Sequence, residues 1–141
     1  MSAGYSGTPL ARKLGLKDGA VALLLGVPEP LAEIHGFPGF AAVETALGDA
    51  EGRRFDYGHV FERDLAALTA RVPALRACLK ADGMLWISWP KRASKVPTDI
   101  TEDRLRDIFL PVGLVDVKVA AIDEIWSGLK FMFRKEIRPS L

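Results

Sequence analysis

The chain has 141 residues, with 19 Lys and Arg against 18 Asp and Glu and a formal net charge of +1, so it is sized for one domain around one core. That balance gives no global reason to expect nucleic acid or an anionic membrane as partner, and any cationic site must be local. The single cysteine, Cys78, excludes an internal disulfide framework and fits a reducing compartment.

The amino-terminal stretch MSAGYSGTPLARKLG lacks the apolar core of a signal peptide, so a cytoplasmic protein is expected. Thr8-Pro9 starts a short helix, with Thr8 as cap, Pro9 as first residue and Leu10, Leu14 and Leu16 to bury; Tyr5 and Ser6 before it could serve as a small lid. The apolar run from Ala20 to Gly26 reads as a strand buried on both faces. Continued to Val27 it is still far below the roughly 18 residues of a membrane span, and Pro28 stops it. In the turn that follows, GVPEP, Gly26 is the one glycine, Pro28 and Pro30 have no N–H to offer, and Glu29 puts a carboxylate where a ligand's anion would sit. A nucleotide-binding turn needs bare amides and a helix amino terminus at this point, so no S-adenosylmethionine or dinucleotide cofactor is expected, and a helix is expected to start at Pro30.

A weaker strand pattern covers 40–47, and Glu44 falls near where an acidic residue would hold a ribose, or is simply a solvated strand end. Only GDAEGRRF, from Gly48, separates it from the next strand, 55–61; a crossover helix needs about a dozen residues or more, so one helical layer should be thin. Residues 62–80 place Leu65, Leu68, Val72, Leu75 and Leu79 on one helical stripe, with Pro73 kinking that helix or starting a second. A buried strand is expected over 83–90. TEDRLRDIFLPVGL is a further helix, capped by Asp99 or Thr101, with acids in its first turn and Pro111 and Gly113 ending it. The last third alternates around EIWSG and reads as an antiparallel hairpin. Together these elements give a single α/β domain over residues 1–141, three-layered and Rossmann-like, with a mostly parallel sheet and a carboxy-terminal antiparallel hairpin.

That order of elements over 15–135, with LKADGMLWISWP entering a late strand, resembles the class I methyltransferase version of the Rossmann fold, reduced in size. The segments YSGTPLARKLGLK, DGMLWISWPKRAS, TDITED and DEIWSGLKF further resemble an uncharacterised bacterial family of short proteins. Those resemblances imply a methyltransferase-related fold and no established activity.

In such a sheet the loop after 83–90 leaves from the carboxyl edge, where open α/β sheets bind ligands, and the hairpin turn emerges at the same edge. Trp89, Lys91, Arg92, Lys95, Thr98 and Asp99 could then face Asp123, Glu124, Trp126 and Ser127 across one cleft. As a binding site this set offers Arg as a planar fork, Lys as point charges, Ser94 and Thr98 as neutral donors and Trp as a stacking face. As architecture, Lys91 would pair with Asp123 or Glu124 and the tryptophans would cover the core. Three functions are carried forward: recognition of a small anionic ligand or a partner through loop 91–99, an S-adenosylmethionine-dependent methyltransferase-like enzyme, and single-stranded nucleic-acid binding with Trp126 as platform. His35 and His59 lack metal-ligand spacing, Ser127 has no local histidine as base, and Cys78 reads as packing. No catalytic residue is assigned.

Overall fold

The computed structural model describes residues 9–48 and 52–141; Tyr5, Ser6 and Thr8 lie outside that range. The elements are α1 (Leu10–Leu14), β1 (Val21–Leu25), α2 (Ala32–His35), β2 (Ala42–Glu44), β3 (Phe55–Phe61), α3 (Leu65–Cys78), β4 (Leu79–Pro90), α4 (Glu102–Phe109), β5 (Leu114–Ala121) and β6 (Trp126–Phe133). They form one six-stranded sheet in the order β2-β1-β3-β4-β6-β5. Strands β2, β1, β3 and β4 are parallel, and β6 is antiparallel to both β4 and β5. The turn between β5 and β6 therefore emerges at the same carboxyl edge as the loop after β4.

The apolar runs of β1, β3 and β4 are continuous because both faces of the sheet are covered. Leu68, Val72 and Leu75 of α3 and Leu105 and Phe109 of α4 pack on one face with Val60, Ile87 and Trp89. Leu10 and Leu14 of α1 and Ile34 of α2 pack on the other with Leu24, Tyr57 and Trp86. Register sets a row across that second face: Leu24 pairs with His59, His59 with Trp86, Trp86 with Lys130 and Lys130 with Lys118. Trp86 fastens α1 to it, its indole N–H donating to the Leu14 carbonyl at 2.9 Å.

Several boundaries move from those expected. Pro9 is the cap of α1 rather than its first residue, and α2 begins at Ala32 after a turn containing Pro30. Pro73 lies inside α3 without dividing it. The 40–47 pattern yields only three paired residues, Ala42 to Glu44, at an exposed sheet edge. Among the described residues no helix joins β2 to β3, and none is long and apolar enough to cross a membrane.

Candidate functional site at the carboxyl edge

A Rossmann ligand would enter at the ends of β1 and β3, which are paired neighbours in the sheet. Gly26 has φ 71°, and a Cβ built there would lie 2.9 Å from the Phe61 carbonyl oxygen, so the two strand ends are in contact. The turn satisfies itself, Leu31 N–H donating to the Pro28 carbonyl at 3.0 Å and the His35 ring Nε2 lying 2.8 Å from the Glu29 carbonyl. Helix α2 is one four-residue turn.

The amino terminus of α3 opens at the same edge, and free amides there attract anions. Here carboxylates of the chain take them. Glu62 Oε2 accepts from the amides of Arg63 and Asp64 at 3.0 and 3.1 Å, Asp99 Oδ1 accepts from Leu65 at 2.8 Å, and the cap Asp64 accepts from Ala66 at 3.0 Å. The donor set therefore does not fit S-adenosylmethionine at these strand ends.

On the α3 and α4 side of the same edge is an open cleft of about 440 Å³, bordered by Trp89, Pro90, Val96, Pro97 and Ile100 with Arg92, Lys95, Thr98, Thr101 and Glu102. The loop turns through a 3-10 segment, Arg92–Ser94, and closes on Lys95 in the left-handed conformation, φ 62° and ψ 9°. Ser94 builds that turn, its hydroxyl donating to the Lys91 carbonyl at 2.6 Å and accepting from Val96 N–H at 3.2 Å. The Thr98 hydroxyl donates to the Arg63 carbonyl at 2.7 Å and accepts from Ile100 N–H at 3.1 Å, while Thr101 caps α4 by accepting from Arg104 N–H. Glu102 is engaged by Arg106 at 3.1 Å. Arg92 and Lys95 remain, and among the described residues neither has an acid within ion-pair distance.

The residues expected to share one cleft divide between two places. Trp89, Arg92, Lys95 and Thr98 line this one. Trp89 is 8% exposed and belongs to the core beneath α3 and α4, whereas Trp126 packs on the opposite face, edge-on to Phe61 at 5.1 Å. The two tryptophans cannot clasp one ligand, because strand register pairs Trp126 with Pro90 and Ser127 with Trp89. Asp123 does not meet the cations either: its Oδ1 accepts from the amides of Ile125 and Trp126 at 2.8 and 2.7 Å and builds the hairpin turn. Lys91 joins that turn through its backbone, donating its N–H to the Ile125 carbonyl at 2.7 Å; neither Asp123 nor Glu124 pairs with its side chain among the described residues. The Asp99 carboxylate is taken by the first amide of α3, and Thr101, the other cap expected, is the one that caps α4. Glu44 forms an ion pair with Arg54 at 2.9 Å, and Cys78 is buried, its thiol 3.5 Å from the Leu75 carbonyl.

Sequence reading missed a polar chain in the core. The Tyr57 hydroxyl lies 2.8 Å from His59 Nδ1, and His59 Nε2 lies 2.7 Å from Ser88 Oγ. His59 and Ser88 are both 0% exposed. Burial holds the imidazole neutral, its pKa lowered from 6.5 to about 3, and pushes the Tyr57 phenol well above its ordinary value. A neutral imidazole has one donor and one acceptor nitrogen, which suits a hydroxyl at each end. The Ser88–His59 spacing is that of a nucleophile and base, but both side chains are fully buried. A smaller hollow, about 260 Å³, opens at the amino edge beside Lys17, Asp18, Asp56, Asp82 and Met84. Burial alone would raise the Asp56 pKa; the Val21 amide at 2.9 Å and Lys80 at 3.1 Å outweigh it and hold the carboxyl below its ordinary value.

No family model matches the chain, and no curated protein matches it. Solved structures do. A SAM dependent methyltransferase from Aquifex aeolicus aligns with a TM-score of 0.61 at 14% identity, covering 89% of this chain and 88% of that one. The N-methyltransferase NodS from Bradyrhizobium japonicum aligns at 0.59 and 14% identity, covering 93% and 100%. A TehB-like SAM-dependent methyltransferase from Corynebacterium glutamicum aligns at 0.57 and 16% identity, covering 94% and 91%. At these identities the likeness is one of fold: the chain is a small α/β domain with the methyltransferase-like Rossmann architecture.

Proposed function

We propose that this chain is a binding domain on a methyltransferase-like fold, taking a small organic anion in the cleft beside loop 91–99 without using S-adenosylmethionine. The observation that carries this reading is the pair Arg92 and Lys95, which border the cleft with no acid in ion-pair distance among the described residues while Glu102 is held by Arg106. Lys95 adopts a left-handed backbone that costs a non-glycine residue about 1–2 kcal/mol, so the cation stands there against the backbone's preference. Trp89, Pro90, Val96, Pro97 and Ile100 supply an apolar wall. The ligand that suits it has a phosphate or carboxylate head for the guanidinium fork and the ammonium and a hydrocarbon or aromatic body. The motifs Y-S-G-T-P-L, W-P-K and D-E-x-W-S-G support extending the reading to the uncharacterised bacterial family that carries them. A reducing, cytoplasmic setting suits the free, buried Cys78.

A second reading, a methyltransferase-like enzyme, is favoured by the fold likeness to S-adenosylmethionine-dependent enzymes. The close contact at Gly26 and the carboxylates on the α3 amides speak against it. A thermal-shift panel of phosphates, nucleotides and aryl carboxylates tests the proposal. A true ligand at a hundred times its Kd should stabilise by about 2.7 kcal/mol, and Arg92→Ala or Lys95→Ala should abolish that gain with little change in the free protein's melting temperature. A hit that both variants retain, or stabilisation by S-adenosylmethionine alone, overturns it.

A further inference from the structure

The opposite face of the sheet carries a second concentration of positive charge. Lys118 and Lys130 are direct cross-strand partners in the β5–β6 ladder, a placement in which like charges repel. Both side chains share the face of Trp86, over whose ring the Lys130 ammonium sits at 5.9 Å. The Lys118 ammonium is pinned beside it, donating to the Lys13 carbonyl at 2.9 Å, and Lys13 in turn donates its own ammonium to the Ala121 carbonyl at 3.1 Å. Lys17, in the connection from α1 to β1, adds a further ammonium near enough to act on Lys130. Burial first, then repulsion from Lys118 and Lys17, lowers the Lys130 pKa.

Asp18, Asp56 and Asp82 border the hollow beside Lys17, but among the described residues no carboxylate lies within ion-pair distance of Lys118 or Lys130. The acid nearest in the strand, Asp116, pairs with Arg106 of α4 at 3.1 Å. A folded surface that brings two lysines into direct register, and holds one of them by a backbone carbonyl, is complementary to a multiply charged anion. Lysines act as point charges without the planar fork that selects carboxylates. Two of them in direct cross-strand register match adjacent phosphoryl groups better than one carboxylate.

We propose that Lys118 and Lys130 form a binding site for the condensed phosphate group of a small ligand, on the sheet face opposite the loop 91–99 cleft. The test is titration of the full chain with tripolyphosphate at moderate salt, followed by calorimetry and by NMR of the lysine side-chain Cε resonances. Expected are saturable binding, an upward move of the Lys130 titration midpoint when the anion binds, at least a fivefold loss of affinity in Lys118→Ala, and no change in Lys95→Ala. Because Lys118 is exposed, that variant should remain folded. Unmoved Lys118 and Lys130 resonances, or equal losses in Lys118→Ala and Lys95→Ala, would overturn the site. A single-stranded oligonucleotide that binds these lysines more tightly than tripolyphosphate, with steep salt dependence, would assign the face to a nucleic-acid backbone and also defeat the small-ligand proposal. The proposal for the cleft stands or falls separately, through Arg92 and Lys95.

Discussion

His59 makes the folded protein acid-sensitive in a calculable way. Above pH 6.5 the imidazole is neutral in both folded and unfolded chains and contributes no pH dependence. Below it the unfolded chain binds a proton that the folded chain, with a pKa of about 3, refuses, so stability falls as pH falls. At 1.36 kcal/mol per pH unit, this one group should remove about 2 kcal/mol between pH 7 and pH 5 and about 4 kcal/mol by pH 3. A loss of that size is a substantial fraction of a small domain's total of about 5–15 kcal/mol. Urea unfolding of the parent chain and of His59→Gln at pH 7 and pH 5 isolates the effect, because every other ionisable group is common to both. The variant should be less stable at pH 7, having disturbed the contacts to Tyr57 and Ser88, yet lose about 2 kcal/mol less on acidification. Identical pH dependence in the two proteins, or an imidazole NMR signature of the protonated form in the folded parent chain at pH 5, refutes the reasoning.

Other substitutions test neighbouring parts of the account. Trp86→Phe removes the indole that donates to the Leu14 carbonyl and should cost about 1–3 kcal/mol while speeding amide exchange in α1; unchanged exchange there would mean that α1 is held by packing alone. Gly26→Ala puts a Cβ against the Phe61 backbone in a left-handed turn and should lower the urea midpoint by the equivalent of about 1–3 kcal/mol, whereas a neutral result would mean that the ends of β1 and β3 can part. Lys95→Gly relieves the left-handed strain and should leave the melting temperature equal or slightly higher while losing ligand stabilisation; a marked loss of stability would make Lys95 a structural residue.

How far the sequence could be read follows from the range of each interaction. Strands β1, β3 and β4 and the hairpin are legible because their signals are local: apolar runs bounded by Gly, Pro or charge, and period-two alternation at the end of the chain. Of the two caps offered for α4, Thr101 is the one used; Asp99 accepts instead from Leu65, 34 positions away, a pairing that no local pattern shows. Trp89 and Trp126 both fall at one sheet edge, which is why the sequence places them together; which face each takes depends on the β4–β6 register, and no local pattern specifies that. The polar chain was half visible. Alternation in FDYGHVF places Tyr57, His59 and Phe61 on one face, but Ser88 joins them only through strand pairing with β4. Asp123 could have been recognised as a turn builder, since aspartate commonly bonds the amide two residues on.

The central claim is that the ligand site is the cationic cleft and that the ends of β1 and β3 do not take S-adenosylmethionine. Amide NMR of the labelled chain, titrated in parallel with S-adenosylmethionine and with phenyl phosphate, tests it most directly. Phenyl phosphate should shift resonances from Arg92 to Thr98 and the Trp89 indole, and millimolar S-adenosylmethionine should move none at Gly26 to Leu31 or Glu62 to Leu65. Saturable shifts at Gly26 and Glu62 with a micromolar Kd for S-adenosylmethionine, and a cleft indifferent to phenyl phosphate, would contradict it.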